Sequence, residues 1–472
     1  MNEIQLPSRL KLIVTPLSSW NGNFYLEPLP SDAPGTNIGE LLLRETNETK
    51  ILSVSLGSHE ELNSAVIREA GKQTGKWLTE HRTSDVALSA ALFETIEVDF
   101  ALEAFCEGLL LGAFRFDRYK FGHEETIPVS VHVLTVAKDS AVSDKLARVA
   151  AIITGTNLAR EWSHEPANII NPVTLGERAK SLASASGLKC TILGEKELTD
   201  MGAGAIISVG LGSKTPSQMI ILEHQGKGVT AEKSPVVVIG KAITFDTGGY
   251  SLKDKAGIVG MKFDKCGGMN VIGIMQAVAE LELPVPVIGI IAAAENMISK
   301  EAYRPNDIIT SLSGKTIEII STDAEGRMVL ADALTYASTQ YKPRAIIDLA
   351  TLTGGVRTAL GSVRAGLMSN NDKLATELFA SGEKTNERLW QLPLDEDYFE
   401  LIRGTDSDIK NSAGVPTASP IVGGMFLKQF VPDEIPWAHI DIAGTATVEK
   451  SKGIRLATGF GVRLVLEFLF GI

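Results

Sequence analysis

The stretch IEIISTDAEGRMVLADALTYA, residues 317–337, passes from an apolar strand-like run into a helix-like segment through the seven residues STDAEGR. Asp323, Glu325 and Arg327 stand at i, i+2 and i+4 of that connection. If the extended backbone continues past the strand, this spacing directs all three side chains to one side. Open α/β sheets place their binding sites at such strand ends. A surface turn with an ion pair fits the same residues equally well, so both interpretations stay open at this point.

A second polar cluster lies upstream, where another apolar strand-like run, PVVVI, ends. Lys241 and Asp246 follow that run directly, and Asp264 follows after a glycine-containing loop. Lysine next to a buried strand is unusual, because desolvation disfavours the charged amine. If each residue is considered alone, Lys241 is more simply a lysine whose amine reaches solvent, and Asp246 is more simply a turn residue.

Four carboxylates from these two clusters would converge at one site, those of Asp246, Asp264, Asp323 and Glu325. Such a set cannot share a small cavity at neutral pH unless cations neutralise it. Two divalent ions about 3.5–4 Å apart, bridged by carboxylates, are the usual solution. Lys241 could then be a neutral nitrogen ligand, because the metals would suppress its protonation.

Three motifs carry a family resemblance, namely GKAITFDTGGYSLK (240–253), MKFD (261–264) and STDAEGR (321–327). In this order and at these separations they resemble the leucyl aminopeptidase family of two-metal exopeptidases. The similarity extends through DLATLTGG, PWAHIDIAGTA and ATGFGVRLVLEFL and covers nearly all of residues 165–472. The N-terminal part is similar to the family only in length and composition.

The resemblance implies a metal-binding role at five positions. Lys241 and Asp264 would belong to the tighter metal site, and Asp246 and Glu325 would bridge both metals. Asp323 would complete the second site through its carboxylate and its backbone carbonyl. The implied cofactors are two divalent ions per subunit, zinc or manganese.

The resemblance also implies the reaction. A hydroxide that bridges the metals would attack the first peptide bond of a peptide substrate. Lys253 would stabilise the oxyanion, and Arg327 would hold a bicarbonate ion that moves the proton. One metal would bind the free α-amine of the substrate, which would confine cleavage to the N-terminal residue.

Substrate selectivity is implied at three further positions. Met261, Thr351 and Gly354 match family positions that line the pocket for the first side chain of the substrate. Methionine is flexible and polarisable, which suits a broad preference for leucine-like side chains. Without the motif, a methionine after a glycine is more simply read as core packing.

Several residues depart from the usual family pattern. Ala242 stands where glycine is common, Tyr250 where leucine is common, and Ser321 where asparagine is common. None of these changes removes a ligand. Changes next to metal ligands can cost 10–100-fold in affinity or activity, so we expect effects on metal preference and rate.

Two other functional classes fit parts of the sequence. A two-metal phosphoesterase usually recruits histidines, and none of the seven histidines forms HExxH or another ligand pair. Some leucyl aminopeptidases combine peptidase activity with DNA binding or regulation. A net charge of −12 disfavours nucleic acid as the main partner, although a secondary role stays open.

Composition indicates the cellular setting. No stretch approaches the roughly 20 apolar residues of a membrane helix, and MNEIQLPSRLKLIV lacks the layout of a signal peptide. The three scattered cysteines imply no disulfide framework. We therefore expect a cytoplasmic protein without a membrane partner, and the resemblance implies a homohexamer.

The chain of 472 residues is too long for one ordinary core. Residues 1–140 are predicted to form a small N-terminal α/β domain. Residues 141–172 are predicted to be a helical connector, because Pro166 and Pro172 stop regular structure. Residues 173–472 alternate helix-like and buried strand-like runs. This pattern predicts a catalytic domain with a mixed, largely parallel sheet flanked by helices.

Overall fold

The computed structural model describes residues 10–29, 37–94, 96–121, 128–136, 139–228, 234–450 and 454–472. The chain divides into two compact units, one formed by Gln5–Asn157 and the other chiefly by Leu158–Ile472. Helix α4 (Ser140–His164) contains the division. Each unit has its own sheet and helices, as the predicted α/β class requires.

The smaller unit contains a six-stranded sheet in its described residues, in the order β1-β6-β5-β2-β4-β3. All neighbouring strands are parallel except β3, which is antiparallel to β4. The strands are β1 (Leu10–Pro16), β2 (Phe24–Leu29), β3 (Leu41–Glu45), β4 (Lys50–Ser55), β5 (Asp85–Ser89) and β6 (Val129–Thr135). The helices are α1 (Ser64–Glu80), α2 (Ala91–Glu94), α3 (Ala101–Gly112) and α4 (Ser140–His164), with short 3₁₀ helices at Leu17–Ser19 and His59–Glu61.

The larger unit contains an eight-stranded sheet in its described residues, in the order β15-β14-β17-β13-β9-β10-β8-β7. Its strands are β7 (Lys189–Leu193), β8 (Gln218–His224), β9 (Val236–Asp246), β10 (Val287–Asn296), β13 (Ala345–Ala350), β14 (Ala365–Ser369), β15 (Leu389–Gln391) and β17 (Trp437–Asp441). The four central strands, β17, β13, β9 and β10, are mutually parallel. This confirms the predicted mixed, largely parallel sheet.

Two small sheets and ten helices complete the described part of this unit. The small sheets are formed by β11 (Ile308–Thr310), β12 (Thr316–Glu318) and β16 (Ile409–Lys410), and by β18 (Thr447–Lys450) and β19 (Ile454–Ala457). The helices are α5 (Pro172–Ser186), α6 (Glu195–Asp200), α7 (Gly204–Gly210), α8 (Lys255–Ile258), α9 (Cys266–Glu280), α10 (Glu325–Tyr341), α11 (Gly354–Leu360), α12 (Asp372–Thr385), α13 (Ser419–Lys428) and α14 (Val462–Phe470), with 3₁₀ helices at Met261–Lys265 and Glu396–Leu401.

The centre of the sheet is apolar because helices cover it. Strand β9 is buried along almost its whole length, as expected for a parallel strand inside a sheet. Helix α10 places Met328, Leu330 and Leu334 in the same hydrophobic cluster as Ile239 of β9. The packing therefore fixes the start of α10 relative to the end of β9.

Helix α9 lies unusually close to the sheet. A Cβ atom on Gly267 would stand 2.1 Å from the carbonyl oxygen of Leu349, and one on Gly240 would stand 2.5 Å from that of Gly267. Only glycine permits this approach of helix and strand backbones. Since the 3₁₀ helix Met261–Lys265 leads directly into α9, the close packing also fixes the position of Asp264.

Three sequence-based expectations about local structure are wrong. The extended backbone does not continue through STDAEGR, because Glu325 begins helix α10, where an acidic first turn is favoured by the helix dipole. Lys241 lies inside β9, whose parallel pairing with β10 extends the strand to Asp246. Pro172 begins α5 instead of stopping regular structure, since proline suits the first helical position.

Among the described helices, none combines the length and apolar character that a membrane span requires.

Candidate metal centre

Three segments bring the predicted ligands together in the larger unit. Strand β9 supplies Lys241 from its middle and Asp246 from its end, the 3₁₀ helix supplies Asp264, and the turn into α10 supplies Asp323 and Glu325. All five side chains line one cavity of about 320 Å³. The cavity is also lined by Lys253, Met261, Thr351 and Gly354.

Lys241 lies at the bottom of the acidic cluster with its side chain 3% exposed. Its Nζ atom lies 2.9 Å from Asp264 Oδ2 and 2.9 Å from Glu325 Oε1, and it donates a hydrogen bond to the carbonyl of Thr351. Burial opposes the charge of this amine, but Asp264 and Glu325 raise its pKa above the ordinary value. Without metal the amine is therefore an ammonium group that partly compensates the acids.

Lys253 compensates the other half of the cluster. Its Nζ atom lies 2.7 Å from Asp246 Oδ2 and also pairs with Asp323 Oδ1. Asp246, Asp323 and Glu325 each offer an oxygen atom, and these atoms lie within 4.8 Å of one another. A single cation could therefore contact all three carboxylates.

The cluster carries more negative charge than the two lysines neutralise. Burial and the neighbouring carboxylates raise the pKa of Asp264 to about 8 and that of Asp323 to about 6, and burial also raises the pKa of Asp246. Burial would raise the pKa of Glu325 as well, but Lys241 and Lys253 lower it below its ordinary value. Three of the four acids thus resist ionisation where they lie, and bound cations would relieve that cost.

Two buried oxygen atoms in the cluster lack a hydrogen-bond donor among the described residues. They are Asp264 Oδ2, which is near Lys241 Nζ but not in hydrogen-bond geometry, and Glu325 Oε2. Buried carboxylate oxygens are rarely left without partners. Oxygen ligands plus one amine suit divalent ions such as Mn²⁺ or Zn²⁺, so the residues present fit a metal centre.

Asn296 is a site residue that the sequence argument missed. Its Nδ2 donates to Asp246 Oδ1 at 2.8 Å and to the carbonyl of Thr322 at 3.0 Å. It therefore joins the loop after β9 to the turn before α10. Asn296 is the last residue of β10 and pairs in register with Asp246. A polar residue at the end of an otherwise apolar strand is the sequence feature that could have identified it.

Ser321 and Asn411 support the turn that carries Asp323. Ser321 Oγ accepts a hydrogen bond from the Asp323 amide. Asn411 Oδ1 accepts from the amides of Ile320 and Ser321, and its Nδ2 donates to the Ser321 carbonyl at 2.7 Å. Ser321, one of the residues that depart from the usual family pattern, thus contacts the backbone of the candidate ligand Asp323.

Arg327 does not line the cavity. It is 6% exposed, and its Nη1 donates to the Asn411 carbonyl at 2.7 Å. Burial lowers the pKa of Arg327 to about 10, so the guanidinium stays charged at neutral pH. Its Nε is buried without a hydrogen-bond partner in the part of the chain that the structure describes.

The three predicted substrate-pocket residues do lie together in the cavity wall. Thr351 Oγ1 also donates to Asp264 Oδ1 at 2.7 Å. Asp441 holds the following loop, accepting from the Leu352 amide at 3.1 Å and from Thr353 Oγ1 at 2.7 Å. The wall of the pocket is therefore tied to the acidic cluster.

His439 lies outside the cavity, as a structural histidine would. Its Nδ1 lies 2.5 Å from Asp348 Oδ1, and Trp437 Nε1 donates to the other oxygen of the same carboxylate. Cys266 stands two residues after Asp264, but it is not an accessible thiol. It is 2% exposed, and burial raises its pKa to about 11.

A larger cavity of about 640 Å³ lies elsewhere in this unit, near Lys315 and Lys428. Lys428 pairs with Glu396 at 2.6 Å, and Lys315 donates to the Gln429 carbonyl at 2.8 Å. Its cations are thus already partnered, whereas the acids of the smaller cavity are under-compensated. The smaller cavity is therefore identified as the functional site by its uncompensated acidic charge and not by its volume.

Comparisons with known proteins agree for both parts of the chain. The family model described as "Cytosol aminopeptidase family, catalytic domain" matches residues 157–466. The model described as "Cytosol aminopeptidase family, N-terminal domain" matches residues 38–122.

Individual relatives extend over most of the chain. A "Probable cytosol aminopeptidase" of Syntrophotalea carbinolica is 42% identical over 91% of this chain and 88% of its own length. A "Cytosol aminopeptidase" of Pseudomonas aeruginosa is 41% identical over 92% of this chain and 88% of its own length. Among solved structures, "Bottromycin maturation enzyme BotP in complex with Mn" is similar with a TM-score of 0.86 and 28% identity, covering 95% of this chain and 99% of that one.

Gly326 gives a test of the geometry around Lys241. A Cβ atom there would lie 2.7 Å from Lys241 Nζ, so we expect Gly326→Ala to displace the amine and weaken Mn²⁺ binding by roughly tenfold. A loss of Mn²⁺ affinity would not come from a weakened helix, because alanine favours helix formation more than glycine does. Titration calorimetry measures the affinity.

Gly354→Ala is the matched control, because a Cβ atom on Gly354 meets nothing within 4 Å. It should bind Mn²⁺ as the unmodified protein does. An unchanged affinity in Gly326→Ala would show that Lys241 does not contribute to the centre.

Proposed function

Because this chain belongs to the cytosol aminopeptidase family, and is therefore a peptidase that acts at the N-terminus of its substrates, we propose that it uses two divalent metal ions and prefers leucine-like first residues. The observation that carries the proposal is the under-compensated carboxylate cluster described above, in which Asp246, Asp264 and Glu325 are buried. Peptides are its substrates, and the reaction is hydrolysis of the first peptide bond.

The residues divide between two metal positions in this proposal. Lys241 and Asp264 would hold one ion, Asp246 and Glu325 would contribute to both positions, and Asp323 would complete the second. Bound divalent ions, zinc or manganese, would supply a hydroxide nucleophile at neutral pH and polarise the scissile carbonyl. Divalent metal binding as such is supported by the buried Glu325 Oε2, which has no hydrogen-bond partner among the described residues, and by the similarity to a manganese-bound structure.

Lys253 is proposed to stabilise the oxyanion. Burial opposes its charge, but Asp246, Glu325 and Asp323 raise its pKa, so it remains an ammonium group at neutral pH. Its amine is in the cavity and within reach of both ligand loops. A fixed cation of this kind stabilises charge that develops in the transition state.

Arg327 is proposed to hold a bicarbonate ion that accepts a proton. The guanidinium is charged and buried, and its Nε has no hydrogen-bond partner among the described residues. A planar guanidinium matches a bidentate oxyanion. Arg327 stands on the first turn of α10, which also carries Glu325.

Met261, Thr351 and Gly354 are proposed to surround the first side chain of the substrate. The cavity wall they share includes the apolar side chains of Phe263 and Leu352, which supports binding of leucine-like groups. We also propose a cytoplasmic location, supported by the names of the relatives. Hexameric assembly rests on the family resemblance alone.

The metal dependence is tested with a panel of amino-acid p-nitroanilides. Chelated protein should release no product, and Zn²⁺ or Mn²⁺ should restore cleavage, fastest with leucine-like residues. Glu325→Gln keeps the shape but loses the charge, and should lower activity and bound metal by roughly a hundredfold. Full activity of protein shown to be metal-free, or no cleavage with any metal, would contradict the proposal.

The role of Lys253 is tested by separating rate from metal binding. Lys253→Met should lower kcat by roughly 10²–10³-fold, the cost of losing one oxyanion donor, and leave bound metal nearly unchanged. Lys255→Met, at an exposed lysine two positions along the chain, should change neither. Parallel loss of rate and metal in Lys253→Met would make Lys253 a structural residue of the metal centre.

A further inference from the structure

Two arginines line the same cavity as the carboxylate cluster, and the metal centre uses neither. Arg357 belongs to α11, and Arg455 belongs to β19. Both adjoin residues assigned above to the pocket for the first side chain. Cations in that pocket are unexpected if it serves leucine-like groups alone.

Arg357 lies one helical turn after Gly354 on α11. Its side chain is 60% exposed, and its Nη2 is 3.9 Å from Glu449 Oε2, which is too long for a hydrogen bond. Glu449 is itself 53% exposed, so the pair is weak. The guanidinium therefore has donor capacity available for a ligand in the cavity.

Arg455 is held beside Met261 by the backbone. Its Nη1 makes a long contact, 3.4 Å, to the Val259 carbonyl, and it would lie 2.8 Å from a Cβ atom on Gly260. Gly260 has a left-handed φ of 93°, which glycine adopts without strain. The missing side chain at Gly260 thus makes room for a guanidinium next to the pocket.

The pocket also has space for a polar group. A Cβ atom on Gly354 would meet nothing within 4 Å, and the cavity lining includes the small side chains of Ala443 and Ala446. A carboxylate there would be repelled by the acids of the metal centre unless local cations compensated it. Guanidinium groups are well suited to that task, because they bind carboxylates through paired hydrogen bonds.

Building on the proposed aminopeptidase function, we propose that Arg357 and Arg455 form a carboxylate-binding subsite for the first side chain of the substrate. The pocket then accepts N-terminal glutamate and aspartate in addition to leucine-like residues. The two arginines bind the side-chain carboxylate, and the metal centre acts on the peptide bond as it does for other substrates. The reaction is the same hydrolysis.

The test compares isosteric substrates. With metal-loaded enzyme, kcat/KM for Glu-p-nitroanilide should exceed that for Gln-p-nitroanilide, and added salt should reduce the ratio. Arg357→Gln and Arg455→Gln should each lower kcat/KM for the glutamate substrate roughly fivefold, as expected for a partly exposed charge contact. Neither should change the leucine substrate by more than about twofold, because an apolar side chain does not use the charge.

Arg403→Gln is the matched control, since Arg403 is an exposed arginine paired with Glu400 and lies outside the cavity lining. It should leave both substrates unchanged. Retained leucine activity in the two cavity variants would show that they are folded.

A second pair of substrates shows whether the arginines bind a carboxylate on the first side chain or one on the leaving group. Leu-Ala and Leu-Ala-amide differ only in the carboxylate of the leaving group, so equal hydrolysis of the two supports the first-side-chain assignment. A preference for Leu-Ala that Arg357→Gln or Arg455→Gln removes would overturn it in favour of the leaving-group side.

Two further outcomes distinguish failure of the carboxylate-binding subsite from failure of the aminopeptidase function. Cleavage of the leucine substrate with glutamine preferred over glutamate would overturn the subsite and leave the aminopeptidase proposal standing. No cleavage of any substrate by metal-loaded enzyme would remove both.

Discussion

The electrostatic imbalance of one cavity is the constraint on which the rest of the larger unit depends. Four carboxylates face two ammonium groups in a space of about 320 Å³. Two of their buried oxygens make no hydrogen bond among the described residues, and one of these, Asp264 Oδ2, has only its ion pair with Lys241. Holding such a set together costs free energy in the absence of cations. The surrounding structure must therefore be rigid enough to keep the acids from moving apart.

Rigidity comes from close backbone packing. Glycines at 240 and 267 let α9 approach the sheet, which fixes Asp264, and Gly326 leaves room for the Lys241 amine at the start of α10. Asn296 then joins the two ligand loops through hydrogen bonds. The function proposed for the site follows from this arrangement, because preorganised ligands bind metal without further ordering.

The sequence predicted the class of fold and the convergence of the four carboxylates, because apolar runs and the acids near their ends mark strands of a parallel sheet. The other residues of the cavity were implied by the family resemblance. It could not predict that Glu325 begins a helix, since the same spacing fits an extended turn. The sequence did not indicate Asn296 or Arg455, because the contact of each is with a residue distant in sequence. Asn296 bonds to Asp246, and Arg455 lies next to Gly260. Arg327 stands only two residues after Glu325, yet it is buried and does not line the cavity, which depends on tertiary packing.

The most direct measurement of the central claim is anomalous diffraction from crystals grown with Mn²⁺. The account predicts anomalous density between Asp246, Asp264, Asp323 and Glu325, with the Lys241 amine turned from its carboxylate partners to the metal. A cavity without anomalous density at saturating Mn²⁺, with both lysine ion pairs intact, would contradict it.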